Sequence, residues 1–167
     1  MRETDKFVFF WQGPFSNWHP AQFTDPLTKV KFANTEQAFM WYKAQFFNDL
    51  STLEQIEAAK TPKEAKDLGR GVKNFNPTYW SCVKFGFMAY VNLLKYQQNA
   101  DLAEKLLDTE SKLLVEASPY DRVWGVGLSE DDPNIEKIEK WQGTNLLGLV
   151  LMTTRLEILR EKGPNAF

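Results

Sequence analysis

Two residue types that build many active sites are nearly absent from this chain, which holds one cysteine, Cys82, and one histidine, His19. A single thiol excludes an internal disulfide and a thiolate zinc cage. A single imidazole excludes a multi-histidine metal site, and a His-dependent triad would have to be built around His19 alone. Hydrolytic proton chemistry, if any, therefore falls to carboxylates and lysines. Cys82 itself reads as a buried helix residue. An excess of positive charge is missing too: the net charge is −2, so no whole-chain positive field holds a nucleic-acid backbone, and general nucleic-acid binding is not expected. No apolar run approaches membrane-spanning length, and Met1 to Lys6 lacks the apolar region of a signal peptide. A cytoplasmic protein without a membrane partner is the expectation. Repeats, low-complexity stretches and long linkers are absent as well.

What the chain has in quantity is aromatic side chains. Its 167 residues include 13 Phe, 6 Trp and 5 Tyr. Most of these rings belong in a core, because large apolar surface gains most by leaving water. A few are available to line a pocket for a flat ligand. The length suits one domain with a single core.

Local patterns predict an α+β, helix-rich single domain with a few short strands. Phe7 to Trp11 and Val30 to Ala33 read as strands, with a surface loop from Ser16 to Thr28 between them. Thr35 is placed to cap a helix running through Phe47. Ser51-Thr52-Leu53-Glu54 matches a capping box for a short helix to Ala59. Thr61-Pro62-Lys63-Glu64 opens another, which Gly69 is expected to stop. Asn76-Pro77 starts a long helix toward Gln98, with Trp80, Val83, Phe87, Val91 and Leu94 on one stripe. Leu102 to Leu107 is helical, Lys112 to Ala117 is a strand, and Asp132-Pro133 opens a brief helix. A last helix spans about Asn145 to Glu161, with Leu146, Leu149, Val150, Thr153, Leu156 and Leu159 inward and Gly163-Pro164 as its stop.

Four constellations carry candidate chemistry. Glu36 lies in a first helical turn, where backbone N–H groups favour negative charge. Lys43 falls seven positions later on nearly the same face. A carboxylate and an ammonium on an apolar face are costly to bury unless paired or used. In the second group, Lys66, Arg70 and Lys73 cluster near a helix end. They either complement its dipole or form a phosphate clamp, and a desolvated lysine there is a candidate nucleophile. The third runs from Val115 to Gly127: a strand delivers Glu116, then a turn delivers Asp121 and Trp124. The carboxylate either orients water or pairs with Arg122 in solvent, and the indole is suited to stack on a base or close over a sugar. Gly143 to Gly148 is the fourth, where Thr144 or Asn145 caps a helix or helps bind an anion.

These segments, taken in order, resemble the NADAR/YbiA-like family. The resemblance is carried by Phe15-Ser16-Asn17-Trp18, Asn34-Thr35-Glu36-Gln37-Ala38-Phe39 with Lys43-Ala44, and Ala65-Lys66-Asp67-Leu68-Gly69-Arg70. It continues through Tyr79-Trp80 to Met88, Leu114 to Ala117, Asp121 to Gly127, and Gly143 to Gly148 with Arg155. The resemblance implies a YbiA-like fold and N-glycosidase activity. Members are associated with hydrolysis of phosphoribosylated aminopyrimidine intermediates of riboflavin synthesis, others with removal of ADP-ribose from modified nucleobases. It implies Glu36, Lys66 and Asp121 as catalytic residues, with Asn17, Lys43, Arg70, Trp80, Glu116, Trp124 and Asn145 around the substrate. The expected partner is a small phosphoribosyl or ADP-ribosyl molecule, with no cofactor and no metal. Two positions depart from the family pattern: Thr109-Glu110 stands where Thr-Gly is commoner, and Thr35 where Ser is commoner. The rival from another class is a non-catalytic nucleotide-binding module, which would tolerate loss of the carboxylates.

Overall fold

A computed structural model describes residues 1–163, so Pro164 of the expected helix stop lies outside the described residues. In chain order the elements are β1 (Arg2–Glu3), β2 (Phe7–Phe10), β3 (Phe23–Thr24), β4 (Lys31–Phe32), α1 (Thr35–Phe46), α2 (Leu50–Ala58), α3 (Pro62–Arg70), α4 (Pro77–Gln98), α5 (Ala100–Leu107), β5 (Leu113–Glu116) and α6 (Leu146–Lys162), with a 3-10 turn at Ile138–Lys140 before α6. The mixed, helix-rich class expected from the sequence is the class observed. The chain falls into two compact units, one formed by Met1–Ser16 with the segment from Ala100 onward, the other by Asn17–Asn99.

The first unit is built on a three-stranded sheet in the order β1-β2-β5, with β1 antiparallel and β5 parallel to β2. Phe7, Val8, Phe9 and Phe10 are all buried, as a central strand covered on both faces requires. Phe7, Phe9, Val115, Ala117, Val126, Leu128 and Ile135 form one apolar cluster. Helix α6 packs on β5 and on α5. Its buried face is only partly the expected one: Val150 points inward as expected, together with Leu147, Leu151, Thr154, Arg155 and Ile158, while Leu149 is exposed and Leu156 is 65% exposed. The inward Arg155 explains the shift. Its guanidinium donates to the Thr109 hydroxyl (2.6 Å) and the Lys112 carbonyl (3.0 Å), so a charged residue occupies the core side of the helix. Glu110, in the turn beside it, has φ of +48°, which is the conformation that makes glycine commoner at that position. Asp132-Pro133 forms a turn rather than a helix.

In the second unit α1 packs against α2, α3 and α4. Rings fill the seam: Trp80 lies 5.2 Å from Phe39 and 5.9 Å from Phe87 between centroids. The predicted loop from Ser16 to Thr28 is not a plain surface loop, because it carries β3, which pairs antiparallel with β4. Its Asp25 is fully buried. The Asp25 carboxylate accepts the hydroxyls of Tyr42 and Tyr90 and the Leu27 N–H. Burial pushes that carboxyl up, but bonds from Tyr42, Leu27, Tyr90 and Thr28 outweigh it and hold it below its ordinary value. At the end of α4 the Gln98 amide bonds both the N–H and the C=O of Thr24, and the Asn99 amide bonds the Gln22 carbonyl.

Helix starts differ in detail from the sequence reading. Asn34 rather than Thr35 caps α1, accepting the Gln37 N–H. Asp49 rather than Ser51 caps α2. Thr61 and Asn76 cap α3 and α4 as expected. Gly69 does not stop α3, which ends at Gly71. Its role is close approach: a Cβ there would sit 2.1 Å from the Met40 sulfur. Cys82 is exposed, not buried, because it falls on the outer side of α4.

Candidate functional site

Six of the ten candidate residues lie in the second unit, beginning with Glu36. It occupies the first turn of α1 and is 5% exposed. Its N–H donates to the Asn17 carbonyl at 3.0 Å, so the loop carrying Asn17 is fastened to the positive end of the helix. The Asn17 side chain is buried beside α4. Its Nδ2 donates to the Met88 sulfur at 3.3 Å, and its Oδ1 accepts from Asn92 Nδ2 at 3.3 Å. The main chain of Asn17 is thus joined to the start of α1, while its side-chain amide is held by α4.

The lysines separate by role. Lys43 Nζ donates to the Gly69 carbonyl at 2.8 Å, one of the last carbonyls of α3, where a cation is favoured. It also lies 4.1 Å from the Phe75 ring centre, and burial pulls its pKa below the ordinary value. Lys43 therefore ties α1 to α3. Lys66, on α3, is half-buried, and its Nζ stands 5.7 Å from the centre of the Trp18 ring. Trp18 is 43% exposed, which leaves much of the indole accessible. Arg70 is exposed and paired with Asp67 at 3.0 Å. Trp80 is buried among Phe39, Phe46, Phe47 and Phe87; its ring contacts are with the core.

The other four candidates lie in the first unit. Asp121 Oδ1 accepts the N–H groups of Val123 (2.8 Å) and Trp124 (2.7 Å), closing the turn that presents Trp124. Carbonyls of residues 122–125 in that turn accept the N–H groups of Thr144, Leu146, Leu147 and Asn145, and so satisfy the start of α6. Asn145, in a left-handed conformation, makes no side-chain cap. Its Oδ1 accepts the Glu116 N–H at 3.0 Å and its Nδ2 donates to the Leu114 carbonyl at 2.9 Å. Gly148 lets the helix come this close, since a Cβ there would meet the Leu114 oxygen at 2.0 Å. The Gly143 to Gly148 motif is thus a packing device, and it positions Glu116 at the end of β5.

Two further residues join the site. Trp18, part of the Phe15-Ser16-Asn17-Trp18 motif, faces Lys66. Asn92 gave one available signal, an amide within the apolar stripe of α4.

Buried acid, oriented amide and indole-backed lysine on a short-stranded, helix-rich frame define an α+β protein of the YbiA fold. The NMR structure of the E. coli protein YbiA superposes with a TM-score of 0.77 at 27% identity, covering 98% of this chain and 91% of that one. The chain belongs to the NADAR domain family, which it matches over residues 9–159. It is 42% identical to an N-glycosidase of Acanthamoeba polyphaga mimivirus, over 93% of this chain and 98% of the viral protein. It is also 30% identical to the chloroplastic riboflavin biosynthesis protein PYRR of Zea mays, over 88% of this chain and 23% of that longer protein. Among the described residues no helix is long and apolar enough to cross a membrane.

Proposed function

We propose that this protein hydrolyses the bond between the anomeric carbon of a ribose phosphate and the nitrogen of an aminopyrimidine. Its enzyme class is hydrolase acting on N-glycosyl bonds, in keeping with the viral relative named an N-glycosidase. The maize relative's part in riboflavin biosynthesis supports an aminopyrimidine as the leaving group. The observation that carries the reading is Glu36, whose side chain is withdrawn from solvent in the first turn of a helix, with its main-chain N–H bonded to the Asn17 carbonyl.

As the C–N bond lengthens, positive charge builds on the anomeric carbon and ring oxygen. Glu36 stabilises that charge and orients a water molecule for attack, taking its proton as the new C–O bond forms. The electron pair of the broken bond leaves with the amine nitrogen, which takes a proton from solvent, and Glu36 then returns to solvent the proton it drew from the attacking water. Asn17 donates to a sugar oxygen. Lys66 meets the phosphate, with Trp18 shielding its ammonium from water. Lys43 and Trp80 support this wall from behind. Asp121 holds the turn that carries Trp124, and Asn145 holds the strand end that carries Glu116.

Glu36→Gln is expected to fold as the parent does and to lose about a hundredfold or more in release of ribose 5-phosphate from a phosphoribosyl aminopyrimidine. Near-normal turnover would remove Glu36 from the mechanism. Borohydride added during turnover should leave Lys66 unmodified; a trapped adduct on Lys66 would replace direct water attack with a covalent amine route. An ADP-ribosylated base, assayed in parallel, should be the poorer substrate, and faster release from it would overturn the choice of leaving group.

A further inference from the structure

Arg155 ties α6 to the turn after α5 with only one of its guanidinium nitrogens. Nη1 donates to the Thr109 hydroxyl (2.6 Å) and the Lys112 carbonyl (3.0 Å). Nε and Nη2 make no hydrogen bond to the described residues, and neither is sealed from solvent. The side chain as a whole is only 8% exposed, and among the described residues no carboxylate pairs with it. A cation this far withdrawn from water without a counter-charge is costly. Holding the turn, which occupies Nη1, does not account for the charge.

Arg155 also lines a cavity of about 970 Å³ beside the end of α5 and the C-terminal half of α6. The other lining residues are three leucines, Leu107, Leu156 and Leu159, and three polar residues, Glu110, Ser111 and Lys162. All of them belong to the first unit. The size suits a small molecule. Its head group is set by the unused edge of the guanidinium: Nε–H and Nη2–H lie side by side, in the fork that meets both oxygens of one carboxylate. The charge agrees, because Arg155 and Lys162 outnumber Glu110 and leave the lining net positive by one. The body of the ligand is set by the wall. In a chain this rich in rings, none of the described lining residues is aromatic. A flat base has nothing there to stack on, whereas a saturated chain leaves water against leucine.

We propose that this cavity binds an aliphatic monocarboxylate, with the carboxylate on the Nε–Nη2 edge of Arg155 and the saturated chain against Leu107, Leu156 and Leu159. The proposal is independent of the glycosidase reading. Calorimetry on the full chain tests it with octanoate, butyrate, octanol and octyl phosphate. Octanoate should bind at least about tenfold more tightly than butyrate, because its longer chain takes more methylene groups out of water. It should also bind at least about tenfold more tightly than octanol, which keeps the chain and lacks the charge. Arg155→Met should lose at least about tenfold in octanoate affinity. Should that variant fail to fold, Leu156→Glu carries the comparison: the position is exposed, so the fold is kept, while a carboxylate in the wall repels that of the ligand and costs a similar factor. Equal binding of octanol and octanoate would overturn the guanidinium as the anchor, and tighter binding of octyl phosphate would overturn the monocarboxylate. Undiminished affinity in Leu156→Glu would place the ligand elsewhere and overturn the site. Absence of octanoate binding overturns the proposal outright; a dimer in sedimentation that Leu156→Glu disperses would then give this face to a second copy of the chain.

Discussion

Asp121 offers two separable roles, and a pair of substitutions separates them. Its Oδ1 accepts N–H groups from Val123 and Trp124 at 2.8 and 2.7 Å. Asparagine keeps a carbonyl oxygen in that position, so Asp121→Asn preserves both bonds and removes only the charge. Alanine removes the acceptor. A capping-type bond at a partly exposed site contributes roughly 0.5–2 kcal/mol, and salt-screened charge adds little. Two such bonds place the loss for Asp121→Ala at about 2 kcal/mol and that for Asp121→Asn below about 0.5 kcal/mol. Urea unfolding followed by tryptophan fluorescence measures both. In the ribose-release assay Asp121→Asn should keep kcat/KM within about threefold of the parent, whereas a lost general base costs about a hundredfold or more. Asp121→Ala should lose activity along with the order of the turn. An Asp121→Asn variant that unfolds like the parent but loses a hundredfold in turnover would refute this division of labour and give Asp121 a part in the chemistry.

Gly148→Ala should destabilise by about 3 kcal/mol or more in the same urea titration, because its Cβ would lie 2.0 Å from the Leu114 oxygen and 2.4 Å from the Asn145 amide nitrogen, forcing the helix off the strand and breaking buried bonds; a loss under 1 kcal/mol would show that the helix relaxes freely. Asp25 supplies a pH dependence. Its folded pKa lies below the ordinary carboxylate value, so its contribution to stability is fully present above the unfolded value near ~4 and is lost as pH falls through the lower folded value. Melting temperatures across that acid range should fall less steeply for Asp25→Asn than for the parent, and parallel curves would contradict the assignment.

Helix starts with a self-contained signal were legible from residues alone. Thr61-Pro62 and Asn76-Pro77 each place a capping side chain before a proline, and the structure uses both. Where several capping residues crowd together the choice was made elsewhere in the chain. Asp49 prevails over Ser51 because its second oxygen also accepts the Lys73 N–H at 2.8 Å, a contact 24 positions away that no local pattern reveals. The buried face of α6 was misread for a similar reason: its leucines repeat on more than one face, and the buried Arg155, serving carbonyls of a distant turn, inverts the usual polarity rule. The site divides the same way. Glu36 stands out in its first helical turn, whereas the contact between Asn92 and Asn17, 75 positions apart, has no local pattern to announce it.

The amides that cover one edge of each sheet have a further consequence. Thr24 on one side, Leu114 and Glu116 on the other, would offer outward main-chain groups as a template for any extended peptide that drifted past. Gln98 and Asn145 occupy those positions with a miniature of the peptide group itself. One edge strand of each short sheet, β3 in one and β5 in the other, is thereby covered by a side chain imitating one more strand. At those two edges, two amide side chains take the main-chain groups on which another extended chain would otherwise add.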